Sequence, residues 1–314
     1  MSASATSNAL VAEFASALSA ASTAAGTQSY PAGTLYVIAT PIGNLSDITL
    51  RALHVLQLAD TIACEDTRHT ARLLRAYGIG AASHRLLAVH QHNEAEAAQE
   101  VLRRLGNGQR IAYVSDAGTP AISDPGARLV AAVAQAGLRT SPLPGASSVV
   151  TALSAAGIEG AWRFIGFLPP RGQERQQALQ DIAQMPDAVV LLEAPHRIAD
   201  LAKALAPLGE RQITLARELT KQFESIHTLP AQEAAAWLDA SAERSKGEFV
   251  VIVHPAPTTQ TKNHAISARD LHVLQLLLAE LPTKSAVKLA AEITGTARNA
   301  LYSQALILKS NNKL

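Results

Sequence analysis

The sequence predicts an α/β protein: a mostly parallel sheet, a second α/β half, and a small helical tail. Three observations carry this. From Gly33 onward, β-favouring runs alternate with helix-period segments, the pattern of a parallel sheet covered on both faces. The run at 111–114 ends in SDAGTPAISDPG, a stretch crowded with Gly, Pro, Ser and Asp, before a helix pattern starts near Ala127. Finally, PAPTTQT at 255–261 separates the α/β pattern from a basic, helix-patterned end.

In chain order, 34–40 reads as a strand and 48–59 as a helix with Ser46 and Asp47 as caps. A short strand at 61–64 precedes a helix at 69–77 closed by Gly78. Residues 92–105 are helical in period, 109–114 form a strand, and 127–135 a helix stopped by Gly137. The segment 141–157 turns at 144–148 and enters a helix at 149–156. The second half opens near 157–163, with a strand at 164–168 and a helix at 174–184. Strand 188–193, helix 197–205, strand 212–218, helix 231–238 and strand 248–254 complete it. Past the linker, helices are expected at 268–281, 285–293 and 297–308, the last two joined by Thr294-Gly295-Thr296 as in a helix-turn-helix. The expected divisions are 1–32, 33–157, 158–256 and 262–314.

A length of 314 residues allows roughly two domains with real cores. The net charge of +1 excludes a broad nucleic-acid-coating surface, but it is unevenly spread. Residues 262–314 hold seven Lys/Arg against three Asp/Glu, +4, which leaves −3 for the rest. A single cysteine, Cys64, excludes an internal disulfide and a Cys-based zinc knuckle, and it suits a reducing cytoplasm. No apolar run approaches the roughly 18–20 residues that span a bilayer. Residues 1–32 are rich in Ala, Ser and Thr and contain Glu13 but no Lys or Arg. They match neither a secretory signal nor a transit peptide, and read as a disordered or weakly helical extension.

The turn-rich stretch after residue 114 is the main candidate site. Open parallel sheets bind ligands where loops converge beyond the carboxyl ends of their strands. Gly and Pro let a ligand approach the backbone closely, while Asp116 and Asp124 bring negative charge. TPIGNLSD, at 40–47, leaves the first strand in the same style. Other motifs fail. GIGAAS at 78–83 follows a helix and lacks the third glycine of a dinucleotide fingerprint. No P-loop occurs, and 145–149 misses the last glycine of a nucleophile elbow. His90, His92 and Glu94 read as a polar loop entering a helix, and no metal site is expected. Arg51, Arg72, Arg75, Arg103 and Arg104 fall on helix faces and read as solvated.

Glu65-Asp66-Thr67-Arg68 follows a strand on the same edge as the two loops, as a helix cap, a functional cluster, or both. Glu193–Arg197 and Arg217–Lys221 likewise follow strands. Charged clusters repeated at strand ends, in a chain only 17% charged, point to a polar cleft between two halves.

ATPIGNLSDITLRAL, CEDTRHTARLL, VSDAGTPAISDPG, PLPGASSVVTAL, GFLPPRG, EAPHRI and ARELTKQFE, in that order, resemble the ribosomal small-subunit methyltransferase I family of the tetrapyrrole methylase superfamily. The resemblance spans 33–314, including KLAAEITGTARNALYSQAL. It implies a parallel-sheet first domain, a mixed-sheet second domain, and S-adenosylmethionine bound between them. By motif match the cofactor would be held by Pro41, Gly43, Ser115, Asp116, Ala117, Gly118, Ile122, Ser123, Pro144, Gly145, Ala146 and Ser147. Leu168, Glu193 and Ala194 would close the site from the second half. The loop 116–122 departs from the Gly-Asp-Pro-x-Tyr form common among tetrapyrrole-modifying members.

The implied activity is methylation of the ribose 2′-hydroxyl of cytidine 1402 in 16S ribosomal RNA, by a cytoplasmic homodimer acting on the small subunit. In this reading Asp66 or Glu218 acts as base or orients the ribose. Arg68, Arg197 and Lys221, with Lys284, Lys288 and Arg298 of the tail, grip RNA phosphates. A methyltransferase acting on a tetrapyrrole-type small molecule, or a non-enzymatic RNA-binding protein, is the rival. The basic tail argues against the first and the Gly/Pro loops against the second.

Overall fold

The structure is a computed structural model that describes residue 14 and residues 16–80, 85–90, 93–122, 126–256 and 268–311. The chain divides into two compact units, Met1–Ala256 and Pro257–Leu314.

The first unit holds two five-stranded sheets. The first sheet is built from β1 (Thr34–Ile38), β2 (Thr61–Cys64), β3 (Arg85–Ala88), β4 (Ile111–Val114) and β5 (Arg139–Leu143), in the order β3-β2-β4-β1-β5. Every pairing in it is parallel. Its helices are α1 (residues 16–25), α2 (Leu50–Leu58), α3 (Thr67–Ala76), α4 (Glu94–Gly106), α5 (Ala127–Gln135) and α6 (Ser148–Ala156). Both faces are covered, so the central strands β1, β2 and β4 read as nearly continuous apolar runs. Tyr36, Ile38, Ile62 and Val114 pack with α2 and α3 on one face. Leu35, Val37, Ala63 and Tyr113 pack with α4 and α5 on the other.

The second sheet has the order β6-β7-β10-β8-β9, from β6 (Trp162–Phe167), β7 (Ala188–Glu193), β8 (Gln212–Arg217), β9 (Ser225–Pro230) and β10 (Phe249–Val253). Only β6 and β7 run parallel, so this sheet is mixed, as the family resemblance implies. One face packs on α7 (Gln173–Gln184), α8 (Ile198–Leu205) and α9 (Ala234–Asp239) through Val189, Leu191, Leu215 and Val251. The other face packs on α6, where Val149, Ala152 and Ala156 meet Val190, Ala216, Val250 and Ile252. A helix that leaves the first sheet thus roofs the second.

Three strands lie where the sequence pattern showed none: β3, β5 and β9. All three are edge strands. An edge strand buries less, tolerates proline and carries polar residues, so its apolar signal is weak. RTSPL of β5 is mostly exposed or half-buried, and Pro142 pairs with Val37 where no further strand needs its missing N–H.

Of the two readings of 1–32, disordered or weakly helical, residues 16–25 take the helical one, and Phe14, Ala17, Leu18 and Ala21 pack against the first core. The Phe14 ring meets Tyr77 edge-on at 5.0 Å. The small-residue composition hid an apolar stripe at helical spacing. At α2 the cap is Thr49, whose Oγ1 accepts the Ala52 N–H at 3.1 Å. Ser46 and Asp47 lie instead in a short 3-10 turn capped by Asn44.

The second unit contains α10 (Ala268–Glu280), α11 (Thr283–Thr294) and α12 (Arg298–Asn311) around Leu274, Val287, Ala290, Leu301 and Ala305. Gly295 closes α11 in the left-handed region at φ 74°. Thr296 Oγ1 donates to Asp270 Oδ2 at 2.8 Å and ties the turn back to α10. Among the described residues, no helix is long and apolar enough to cross a membrane.

Candidate active site

From β1 the chain crosses β4 to reach β2, whereas from β4 it crosses β1 to reach β5. The carboxyl ends of β1 and β4 are therefore the switch point of the sheet, where a crevice opens. Two turns lock together there. Thr40 N–H donates to Gly118 O at 2.9 Å, and Gly118 N–H returns to Thr40 O at 3.0 Å. Ser115 Oγ donates inside its own turn, 3.3 Å from the carbonyls of Ala117 and Gly118. Thr119 Oγ1 donates to Ala146 O at 3.0 Å, fastening the β4 turn to the one entering α6. Gly145 is required by contact: a Cβ there would stand 2.7 Å from that of Ala39. Ser147 caps α6, accepting the Val150 N–H at 3.5 Å.

Against these turns stand the strands of the second sheet, and two adjoining pockets share Ser148 and Leu192. The smaller, about 170 Å³, has Glu65, Ser115, Asp116, Ala117, Gly118, Ile122 and Ser147 on one side. Phe164 and Leu192 face them from the second sheet. The larger, about 310 Å³, is walled by Ile42, Phe167, Glu193, Ala194, Ala216, Glu248 and Phe249.

Among the described residues, the carboxylates on these walls are Glu65, Asp116, Glu193 and Glu248. Glu193 is buried, and its Oε1 accepts the Ala194 N–H at 3.0 Å. Arg197 Nε lies 3.1 Å from Oε1 and Arg175 3.8 Å from Oε2, but Oε2 has no hydrogen-bond partner. A buried carboxylate oxygen left in that state is a ready acceptor for a ligand's N–H.

Asp66 caps α3, its Oδ1 accepting the N–H groups of Arg68 at 2.7 Å and His69 at 3.3 Å. The Arg68 guanidinium, paired to it at 3.3 Å, and these amides hold its carboxyl below the usual carboxylate range. Glu218 sits in the left-handed region at φ 50°, as does Thr220 at 65°, where side chains are strained. Glu218 Oε1 accepts from Lys221 Nζ and from the Glu248 N–H, both at 2.9 Å. Burial pushes its carboxyl up, but these donors and the Lys221 charge outweigh that and leave it lowered. Lys221 also reaches Glu248 at 3.0 Å. Burial lowers its ammonium, and the two carboxylates more than reverse this.

The structure gathers Ser115, Asp116, Ala117, Gly118, Ile122 and Ser147 on the wall of the smaller pocket, and Glu193 and Ala194 on the wall of the larger one beside it. Pro41 and Gly43 belong to the turn after β1, and Pro144, Gly145 and Ala146 to the turn entering α6; none of them lines either pocket. Ser123 lies outside the described residues. Leu168 needs correction: its side chain is in the core of the second sheet, and Phe167 faces the pocket. The register shift between Phe164 and Gly166 makes that facing hard to read from alternation.

Asp66 and Glu218 stand off both pocket walls, each occupied by donors, so neither is placed as a free proton acceptor. Arg197 also differs from expectation: it is mostly buried, pairs with Glu193, and donates to Leu168 O at 2.7 Å. Lys221 is tied to two carboxylates. Arg68 remains 88% exposed. In the second unit Lys284, Lys288 and Arg298 line one groove with Tyr302.

Sequence reasoning missed Glu248, Phe167, Leu192, Ala216 and Phe249 and did not single out Glu65 within CEDTR. Most of these sit in or beside continuous apolar strands, where a wall residue and a core residue look alike.

A parallel sheet whose switch point opens on a mixed sheet defines the class, a two-sheet α/β methylase. Residues 34–235 match the tetrapyrrole (corrin/porphyrin) methylases, and the chain belongs to that family. Residues 264–309 match the RsmI C-terminal HTH domain. Among curated relatives, ribosomal RNA small subunit methyltransferase I of Escherichia coli O157:H7 is 49% identical over 277 residues, 87% of this chain and 95% of that one. Its namesake from Pseudomonas aeruginosa is 46% identical over 279 residues, 88% and 97% of the two chains. Among solved structures, the methyltransferase CobJ gives a TM-score of 0.54 at 21% identity, covering 71% of this chain and 95% of that one. Diphthine synthase gives 0.53 at 14% identity, over 71% and 90%. These structures share the fold.

Proposed function

We propose that this protein transfers a methyl group from S-adenosylmethionine to the ribose 2′-hydroxyl of cytidine 1402 in 16S ribosomal RNA. The observation that carries the reading is the cleft, where three Gly/Pro turns of a switch point meet the second sheet. It belongs to a chain 49% identical to a protein named ribosomal RNA small subunit methyltransferase I.

The residues present fit such a donor. Its cationic centre suits walls that carry Glu65, Asp116 and turn carbonyls, and its N–H groups suit Glu193 Oε2, which is ion-paired to Arg175 at 3.8 Å but accepts no hydrogen bond. Bound there, S-adenosylmethionine supplies an electrophilic methyl group for in-line displacement by an alcohol oxygen. The chain's own task is positioning: the locked turns at Thr40–Gly118 and Thr119–Ala146 fix one wall before any ligand arrives. Ile122, Phe164, Phe167 and Leu192 exclude water around the reacting atoms. Asp66 and Glu218, held anionic by their partners, orient the acceptor strand, and the hydroxyl proton leaves to a carboxylate of the cleft wall.

Arg68, Lys284, Lys288 and Arg298 hold phosphates, while Arg197 and Lys221 keep the second half in shape. The protein acts in the cytoplasm as a homodimer, for which exposed Trp162 and Ile165 on the edge strand β6 offer apolar surface. The test is incubation with labelled S-adenosylmethionine and purified small subunits, with mass mapping of the modified nucleotide. A porphyrinoid serves as the rival acceptor. Label on the porphyrinoid alone would overturn the proposal.

A further inference from the structure

The exposed face of α3 carries arginines at spacings of four and three residues. Arg68, Arg72 and Arg75 line one open groove of about 750 Å³, floored by Ala71 and Leu86, which belongs to the edge strand β3. Among the described residues, Asp66 is the only carboxylate on its wall, and it is already committed to capping α3 and pairing Arg68. Among the described residues, neither Arg72 nor Arg75 has a carboxylate within 4.0 Å; Arg75 Nε donates only to Ala71 O, one turn back. The first unit is otherwise the acidic part of the chain, so three arginines in a row there are a local reversal of sign.

Position adds to charge. The groove begins at Asp66, whose N–H donates to Asp116 Oδ1 at 3.2 Å, and Asp116 lines the cleft. The seven steps from Arg68 to Arg75 rise about 10 Å along the helix. A ridge of fixed cations of that length, leading from a cleft, fits a polyanion with evenly spaced charges. A guanidinium offers a forked set of donors suited to phosphate oxygens.

We propose that this groove is an RNA-backbone track: Arg72 and Arg75, with Arg68, hold phosphates of the strand whose target nucleotide enters the cleft. The inference rests on the methyltransferase reading and goes beyond it by giving α3 a substrate-positioning surface. The occupant is ribonucleic acid, recognised by phosphate spacing and not by base identity.

The test is the Arg72→Gln/Arg75→Gln double variant of the full chain, compared with Arg72→Lys/Arg75→Lys and with Lys203→Gln on α8. Binding to purified small subunits is measured from low to moderate salt, alongside calorimetric titration with S-adenosylmethionine. The Gln pair should weaken subunit binding on the order of tenfold and flatten the log-affinity against log-salt slope by about two. Its S-adenosylmethionine affinity should match that of the parent. The Lys pair should regain most of the slope, and Lys203→Gln should leave it unchanged. An unchanged slope in the Gln pair overturns the track. So does an equal loss of polyglutamate binding with subunit binding intact, which would assign the groove to acidic protein. Failure of the parent enzyme to methylate subunits would instead overturn the function itself.

Discussion

The backbone N–H of Asp66 donates to Oδ1 of Asp116 across 3.2 Å, joining the amino end of α3 to the turn that follows β4. Two segments fifty residues apart thereby hold one edge of the cleft. The bond ties CEDTR to SDAGTP: the first begins a helix, and the second supplies a pocket carboxylate that anchors it.

Asp116→Ala should therefore harm ligand binding more than folding. It removes a wall carboxylate and leaves the Asp66 N–H without its acceptor. Affinity for S-adenosylmethionine should fall on the order of tenfold, equivalent to about 1.4 kcal/mol. Asp116→Asn keeps an acceptor oxygen and should lose less. Calorimetric titration of both variants checks the order, and equal affinities would remove Asp116 from the wall.

Gly43→Ala tests the contact between the halves. A Cβ at Gly43 would overlap Lys221 Cγ and stand 2.9 Å from Thr220 Oγ1 and 3.0 Å from Leu219 O. The lysine stem can move, but the Leu219 carbonyl is backbone, and Thr220 is already in the left-handed region. Overpacking of this kind costs about 1–3 kcal/mol, so the melting temperature should drop by several degrees. Methyl transfer should fall further than stability alone explains, because the turn after β1 would be displaced.

The Glu218–Lys221 pair sets a pH window. Glu218 has a lowered pKa in the folded state, so its contribution is present above the unfolded value, about 4.3, and is lost as pH falls through the folded value. Lys221 has a raised pKa, so its contribution is present below about 10.4 and is lost as pH rises through the folded value. Glu218→Gln should lower the melting temperature near neutrality, and that deficit should shrink as the pH is taken below 4. Thermal unfolding across pH measures it. A deficit that stays constant into acid would deny the pairing.

How much of this was readable beforehand follows from where each residue sits. Central strands such as IAYV and AVVLLE announce themselves, because burial on two faces demands unbroken apolar runs. RTSPL and SIHTLP do not, because an edge position frees them from that demand. The turns after β1 and β4 were legible because close backbone approach restricts composition to Gly, Pro and small polar residues. The opposite wall was not. Leu192 and Ala216 serve core and cleft with the same apolar chemistry, and Glu248 reaches the site only because β10 lies between β7 and β8. Arg197 misled for the converse reason: a charged residue after a strand reads as a surface cation until its partner, buried Glu193, is seen.

Arg211 is a second such case. It is 5% exposed, and its guanidinium donates to the carbonyls of His254 at 2.7 Å and Met185 at 3.0 Å. It also reaches those of Ile182, Ala183 and Asp187 at 3.2 to 3.4 Å. These carbonyls belong to the last turn of α7, the segment entering β7 and the residue after β10, so one side chain closes three chain ends. Burial lowers its pKa, yet an arginine keeps its charge there. Arg211→Met should cost on the order of 3 kcal/mol, since several buried acceptors lose a charged donor. Arg211→Lys should recover little, because three donors on one nitrogen cannot span the fan. Denaturant unfolding of both variants measures this, and near-wild-type stability of the lysine form would show that charge alone suffices.

The second unit makes the last prediction. Lys284 and Lys288 on α11 and Arg298 on α12 line one groove of about 480 Å³ with Asn299 and half-exposed Tyr302. Arg298 reaches Glu292 at 3.5 Å, but both side chains are more than half exposed, so that pair is weak and open to exchange for a phosphate. The triple variant Lys284→Gln/Lys288→Gln/Arg298→Gln should retain S-adenosylmethionine binding, since none of these residues lines the cleft. Its affinity for small subunits should fall most at low salt, and the salt slope should flatten by up to about three. Tyr302→Ala should act differently. Loss of a stacking face should weaken binding to unpaired RNA by a similar amount at every salt concentration. A Tyr302→Ala deficit that vanishes at high salt would show that the groove reads charge alone.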